Sequence, residues 1–433
     1  MFRAAVPRLH TSLSCAAPLT REQLNKLPNG LIVASAEQLP RPPRTEQSHL
    51  VLMYRAGTRY ETNRQTGLVP LIKGLMYYGP TKIGSKHSQI PDGVLISPFC
   101  TPDYLGVRLS APRCHTNLIL EVLGNIVAFK DCDLDVLPYA LVEKPRHPSF
   151  IAGELARLAA YNYGTLAHPT YSSMSDARDH FSDDDLRKFA ASHMVADNAI
   201  LFGANVNHEE LMEFGEERVP VNAEPAPRAT DSSYVGGERS IKQKKADQTY
   251  VSIGGDGAKI GDVSALAVQA VLMASLGSCV VRHNVPVERM GAFADLGKHG
   301  ASIVVGCNAH SFEGEGLIHV DIGAPSSSIN NLVKDVARVF KTLKVNDIED
   351  AKQLAKSKIL TSISLLPPSA VIYQLTRQIF TGVTTVSLLA EIDNVTASQV
   401  NAAAARVASN FTIASYGNVD NVPSRDQLLD ELK

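Results

Sequence analysis

The sequence predicts an α+β protein of two homologous domains, each a mainly antiparallel sheet covered by helices. Three observations lead there. Strand-type and helix-type segments alternate along the whole chain. Ser182-Asp-Asp-Asp-Leu-Arg-Lys-Phe-Ala followed by Asn198-Ala-Ile-Leu-Phe-Gly-Ala-Asn-Val has a counterpart in Thr396-Ala-Ser-Gln-Val-Asn-Ala-Ala-Ala followed by Phe411-Thr-Ile-Ala-Ser-Tyr-Gly-Asn-Val. Each reads as a capped helix, a short turn, a strand and then Asn-Val. Between the copies, Glu216 to Ser233 holds Pro220, Pro225 and Pro227 and has no apolar periodicity, the composition of a linker.

At 433 residues the chain exceeds one ordinary domain, and 44% hydrophobic with 20% charged residues is enough apolar material for a sizeable core. A net charge of −2 gives no electrostatic drive toward nucleic acid or an anionic membrane surface. The apolar runs are far below the roughly 20 residues a membrane-spanning helix needs. Six cysteines without C-x-x-C spacing suit a reducing compartment. Met1 to Leu19 carries Arg3, Arg8 and three hydroxyl residues but no acid, the bias of a mitochondrial transit peptide. The expected division is therefore 1–19 transit peptide, 20–215 N-terminal domain, 216–233 linker and 234–433 C-terminal domain.

In order, Leu27-Pro-Asn-Gly turns into a strand at Leu31, with Asn29-Gly30 supplying the positive φ. A strand follows at His49 to Arg55, then an apolar helix at Thr66 to Tyr77. Asp103 to Ser110 alternates as a strand, and Thr116 to Lys130 carries a helical apolar face. Helices are expected at Phe150 to Tyr163 and at Asp183 to Met194, the latter capped by Ser182, with a strand at Asn198 to Ala204. In the second half, strands are expected near 249–253, 302–308, 317–322 and 411–416. Helices are expected at 262–276, 329–343, 348–365, 370–381 and 397–408.

Residues that could carry chemistry are sparse. Zinc hydrolysis places two histidines at i and i+4 on one helix face, with a carboxylate base and a third ligand. No two of the thirteen histidines stand in that relation. His208-Glu209-Glu210 lacks a second histidine and reads as a solvated helix start. Cys114-His115 has nothing nearby to complete a ligand set. Gly254-Gly255-Asp256-Gly257 is too loose for a phosphate loop and reads as a turn between strand and helix. No serine sits in the glycine-flanked elbow of a hydrolase.

Leu27-Pro-Asn-Gly-Leu, Arg55-Ala-Gly-Thr-Arg-Tyr-Glu and Gly67-Leu together resemble the opening of the pitrilysin-type (M16) metallopeptidases. That family includes the mitochondrial processing peptidase subunits and the core proteins of ubiquinol–cytochrome c reductase. In active members Gly-Leu is followed by one residue and then H-x-x-E-H. Aligned on Gly67-Leu68, those positions hold Pro70, Lys73 and Gly74, so the resemblance implies a degenerate zinc site and no catalytic or metal-binding residue. Glu143 lies where a distal glutamate ligand is expected but does not align. Tyr234-Val-Gly-Gly-Glu, Val271-Leu-Met-Ala-Ser-Leu-Gly and Ala309-His-Ser-Phe-Glu-Gly-Glu-Gly-Leu resemble the inactive core-protein branch.

The resemblance covers about residues 20 to 430 and implies a clam-like pair of domains. It implies a non-catalytic, peripheral subunit on the matrix side of the mitochondrial inner membrane. The implied partners are a core protein 1 homologue, cytochrome b, cytochrome c1 and the iron–sulfur protein, with no cofactor in this chain. The alternative it leaves open is a non-catalytic, presequence-binding subunit of the processing peptidase.

Overall fold

The computed structural model describes residues 22–36, 47–78, 93–129, 147–162, 164–171, 180–222, 224–243, 246–300, 302–431. The expected transit peptide and Glu143 lie outside them. The first half of the chain forms β1 (Glu22–Lys26), β2 (Ile32–Ala36), β3 (Gln47–Tyr54), α1 (Leu68–Tyr78), β4 (Leu95–Cys100), β5 (Leu105–Pro112), α2 (Thr116–Ala128), α3 (Pro148–Ala160), α4 (Asp183–His193), β6 (Ala199–Ala204) and α5 (His208–Arg218). The second half forms β7 (Glu238–Lys242), β8 (Gln248–Asp256), α6 (Val263–Leu276), β9 (Ser278–Arg282), β10 (Val285–Met290), β11 (Ile303–Ser311), β12 (Gly316–Pro325), α7 (Ile329–Thr342), α8 (Glu349–Leu365), α9 (Pro368–Thr381), α10 (Thr385–Asn394), α11 (Ala397–Ser409), β13 (Thr412–Gly417) and α12 (Arg425–Glu431).

The strands build two sheets, ordered β1-β2-β6-β3-β5-β4 and β10-β9-β11-β12-β8-β13-β7. Their common part is the same path taken twice: β2-β6-β3-β5-β4 corresponds to β7-β13-β8-β12-β11. The β2–β6 and β7–β13 pairs are parallel, and the other pairs are antiparallel. The helices preceding β6 and β13 also start alike. Ser182 Oγ accepts the Asp185 N–H while Asp185 Oδ2 accepts the Ser182 N–H, and Thr396 and Gln399 repeat this reciprocal box.

In the first unit, the helix-side core joins Leu71, Ile72 and Leu75 of α1 to Ile119 and Leu123 of α2 and to Leu186 and Phe189 of α4. The helices pack there because each carries an apolar stripe at helical spacing. In the second, α7 supplies Ile329, Leu332, Val333, Val336, Ala337 and Phe340, all buried against the sheet with residues of α6 and α11.

Each unit also takes one helix from the other half of the chain. Compactness assigns 144–167, and so α3, to the second unit, and 362–386, and so α9, to the first. The division into contiguous halves therefore needs correction at these two segments. The cause is burial: Val371, Ile372 and Leu375 of α9 pack on Val51, Met53 and Phe202 on the first sheet's second face and on Tyr104 just before β5. Leu155, Leu158 and Tyr161 pack likewise with Leu317 and Ala414 of the second sheet. Linear sequence carries the apolar stripe of such a helix but not the identity of the sheet that receives it.

Two local readings are also corrected. Gly254-Gly255-Asp256 is the end of β8 rather than a turn. A Cβ at Gly254 would stand 2.1 Å from the Ile318 carbonyl oxygen, so the glycine permits close strand approach. His208 does start a helix, but it is buried rather than solvated, with Nδ1 2.9 Å from Ser35 Oγ.

Candidate functional site

The motif expected to carry the site runs from the end of β3 into α1. Arg55 follows β3 and donates from Nη2 to the Phe380 carbonyl at 2.8 Å, with its guanidinium carbon 4.7 Å from that ring's centroid. Gly57 presses on the loop before β5: a Cβ there would lie 2.2 Å from the Pro102 carbonyl oxygen and 2.4 Å from that of Thr101. The backbone N–H groups of Gly57, Thr58 and Arg59 are satisfied by the carbonyls of Asp103, Thr101 and Pro102. Arg59 pairs with Asp103 at 2.9 Å, both side chains about 4% exposed. That burial favours a fixed ion pair over a mobile one.

Glu61 ends the motif beneath the first turn of α1. Its carboxylate accepts the Gly67 N–H at 3.1 Å and the Val69 N–H at 2.7 Å. These are two of the donors a helix start leaves unpaired, and the negative charge also complements the helix dipole. His168 Nδ1 stands 3.4 Å from Glu61 Oε2 and 3.1 Å from the Thr58 carbonyl oxygen. Burial pushes the Glu61 carboxyl above the usual range, opposed by His168 and by the two backbone N–H groups. Gly67, at φ 97°, lets the chain turn into the helix.

The three positions that the resemblance aligns with metal-site residues lie on the first two turns of α1. Pro70 is the third helical residue, where a missing N–H costs nothing, and it is buried; Lys73 is half-buried and Gly74 buried. Their spacing gathers them on one helix face. A pyrrolidine ring, an ammonium and a hydrogen atom supply neither a lone pair for Zn²⁺ nor a general base. Among the described residues, no group of three or more His, Cys, Asp and Glu side chains is placed to hold a metal ion.

Sequence reasoning found the motif but missed what it does: Arg59, Glu61 and Gly57 fasten the loop, the helix start and the next strand together. The available signal was the charge and glycine of Arg55-Ala-Gly-Thr-Arg-Tyr-Glu61, set between an apolar strand and an apolar helix. The other candidates stay apart. Cys114 is exposed and His115 half-buried in a single helical turn before α2.

The second-half segment Tyr234-Val-Gly-Gly-Glu is also structural. Tyr234 Oη lies 2.7 Å from the Asn410 carbonyl oxygen and 2.8 Å from Thr412 Oγ1. Gly236 has φ 72°, and a Cβ on Gly237 would meet the Ala159 carbonyl oxygen at 2.7 Å.

Residues 180–358 match the family model described as the Peptidase M16 inactive domain. Cytochrome b-c1 complex subunit 2 from Mus musculus is 25% identical over 98% of this chain and 96% of its own length, and that from Homo sapiens 24% over 96% and 95%. Mitochondrial-processing peptidase subunit alpha-2 of Dictyostelium discoideum is 23% identical, with 89% of each chain covered. A chain of the solved structure "Complex III2 from Candida albicans, Inz-5 bound" superposes with a TM-score of 0.78 at 18% identity, covering 95% of this chain and 99% of that one. The chain is thus similar over nearly its whole length to subunit 2 of the cytochrome b-c1 complex, and over residues 180–358 to the inactive domain of the M16 peptidases.

Proposed function

We propose that this chain is a structural core subunit of the respiratory ubiquinol–cytochrome c reductase, complex III, supporting its assembly and stability. The observation that carries this reading is end-to-end likeness to subunit 2 of the cytochrome b-c1 complex, in sequence and in fold. It is joined by the replacement of the metallopeptidase positions by Pro70, Lys73 and Gly74 in a preserved loop and helix. A scaffold subunit needs surface area rather than a reactive group, and permanent interfaces commonly bury more than about 2,000 Å². On this reading the chain pairs with a core protein 1 homologue and stands beside cytochrome b, cytochrome c1 and the iron–sulfur protein. It is mitochondrial, on the matrix side of the inner membrane and held there by partners; no helix among the described residues is long and apolar enough to cross a membrane.

A second reading, a presequence-binding subunit of the processing peptidase, is favoured by the likeness to processing-peptidase alpha subunits, including that of Solanum tuberosum at 22% identity over 94% of this chain. Native electrophoresis of mitochondrial membranes solubilised in mild detergent separates the two. Stoichiometric co-migration with the cytochromes and with ubiquinol-oxidising activity is the expected result. Migration as a soluble heterodimer of about 100 kDa, well short of the size of a respiratory assembly, would assign the chain to the processing peptidase instead.

A further inference from the structure

The second unit contains a cleft of about 480 Å³ on the helix side of its sheet. It lies where β8 gives way to α6 and where α11 crosses. By sheet order, β8 and α6 are the counterparts of β3 and α1, so the cleft occupies the duplicate of the degenerate motif's position. Its volume falls within the range of small-molecule sites.

The lining is asymmetric. Ala265, Val268 and Leu272 of α6, with Ala403 and Val407 of α11, form an apolar wall. Asp256 stands at the strand end, and Asp262 and Arg406 also line the space. Asp262 is already committed, since its Oδ1 accepts the Ala265 N–H at 2.9 Å as the cap of α6. Asp256 is differently placed. Its nearest basic side chain is Arg406 at 3.9 Å, beyond hydrogen-bond reach and 59% exposed. Burial pushes its carboxyl above the usual range, with Arg406 a smaller opposing influence. A half-buried carboxylate with so loose a counter-ion is under-solvated, and a cation seated beside it regains electrostatic free energy.

We propose that this cleft binds a small organic cation, an ammonium or guanidinium on a short alkyl chain, with Asp256 as its counter-ion. The apolar wall receives the alkyl chain. An anion would meet Asp256 directly, and a neutral apolar ligand would further desolvate an ill-paired carboxylate. A metal ion would find a single uncommitted carboxylate, too few ligands for a site. Arg406 is the group the ligand displaces from Asp256. The same chemistry is offered by a free alkylamine and by a lysine side chain of a bound peptide.

The test is titration of the full chain, followed by calorimetry or ligand-observed NMR. Probes are n-pentylamine and n-pentylguanidine, a blocked lysine tripeptide, and n-pentanol and pentanoate as neutral and anionic controls. Saturable millimolar binding of the cations, several-fold tighter than that of the controls, is expected. Asp256→Asn keeps the shape and is expected to weaken cation binding at least about tenfold, the order of one lost charge-assisted contact. Arg406→Ala is expected to tighten it, and Ala403→Phe to abolish it by filling the cleft while leaving every charge in place. Thermal melts of the variants report that each is folded. Preference for the tripeptide over the free amines assigns the cation to a partner chain, and the reverse assigns it to a metabolite. Equal binding of pentanol and pentylamine, unchanged affinity in Asp256→Asn, or no saturable binding of any cation would overturn the proposal.

Discussion

The Glu61 carboxylate lies 2.7 Å from the backbone nitrogen of Val69 and fixes the start of the helix that carries Pro70, Lys73 and Gly74. This contact explains how the motif persists beside Pro70, Lys73 and Gly74. Its charged residues hold a loop, a strand and a helix end in register, a role that does not depend on metal.

Glu61→Ala orphans the buried N–H groups of Gly67 and Val69. It is expected to lower unfolding free energy by about 2–4 kcal/mol, read from urea denaturation of the full chain. The wild-type carboxyl, raised by burial, binds its proton more tightly folded than unfolded. The pH-dependent part of its contribution is therefore full below the ordinary carboxylate pKa and is lost as pH rises through the folded value. Glu61→Gln, which cannot titrate, is expected to remove that part of the pH dependence; an unchanged slope would rule it out.

Gly57 has φ −72°, a value any residue adopts, so its requirement is space rather than backbone freedom. Gly57→Ala drives a methyl into the Pro102 and Thr101 carbonyl oxygens. A loss of about 1–3 kcal/mol is expected from such overpacking, although alanine stiffens the unfolded chain. A variant as stable as the parent in urea denaturation would contradict this.

His49 is buried with Nδ1 2.7 Å from Ser110 Oγ and no partner for Nε2 among the described residues, and burial lowers its pKa from 6.5 to about 4. The unfolded chain thus binds the proton that the folded chain refuses. Stability is expected to fall as pH drops from 6.5 toward 4, with the loss complete below both values. His193 and His208, shifted in the same direction by burial, add to it. His49→Gln is expected to flatten this acid limb in melts recorded across that window.

We propose that the α1 positions are beyond simple repair. The triple variant Pro70→His, Lys73→Glu, Gly74→His is expected to hold well under one zinc per chain after dialysis, because affinity also needs a third ligand and outer-shell support. Tight, stoichiometric zinc by atomic absorption would show that a ligand sphere survives.

The legibility of the chain followed the range of the interactions involved. α6 was expected at 262–276 and occupies Val263–Leu276, since Asp262 caps it and Gly277 ends it. The strand expected from Asn198 occupies Ala199–Ala204. Elements without a strong local pattern escaped, among them the β9–β10 pair and the exposed β7. Glu61 stood in a recognised motif, yet its hold on Gly67 and Val69 depends on a fold that brings residues six and eight positions apart into contact.

By itself the sequence determined the duplication, the capped helices and the family likeness, because these depend on residue identity and nearest-neighbour spacing. Only tertiary structure decided that α3 and α9 pack in the unit opposite to their place in the chain. It alone decided that Arg59 meets Asp103 in the interior, and that a half-buried Asp256 lines a cleft with an apolar wall. Each depends on which distant surfaces exclude water from one another, and non-local burial leaves little trace in linear order.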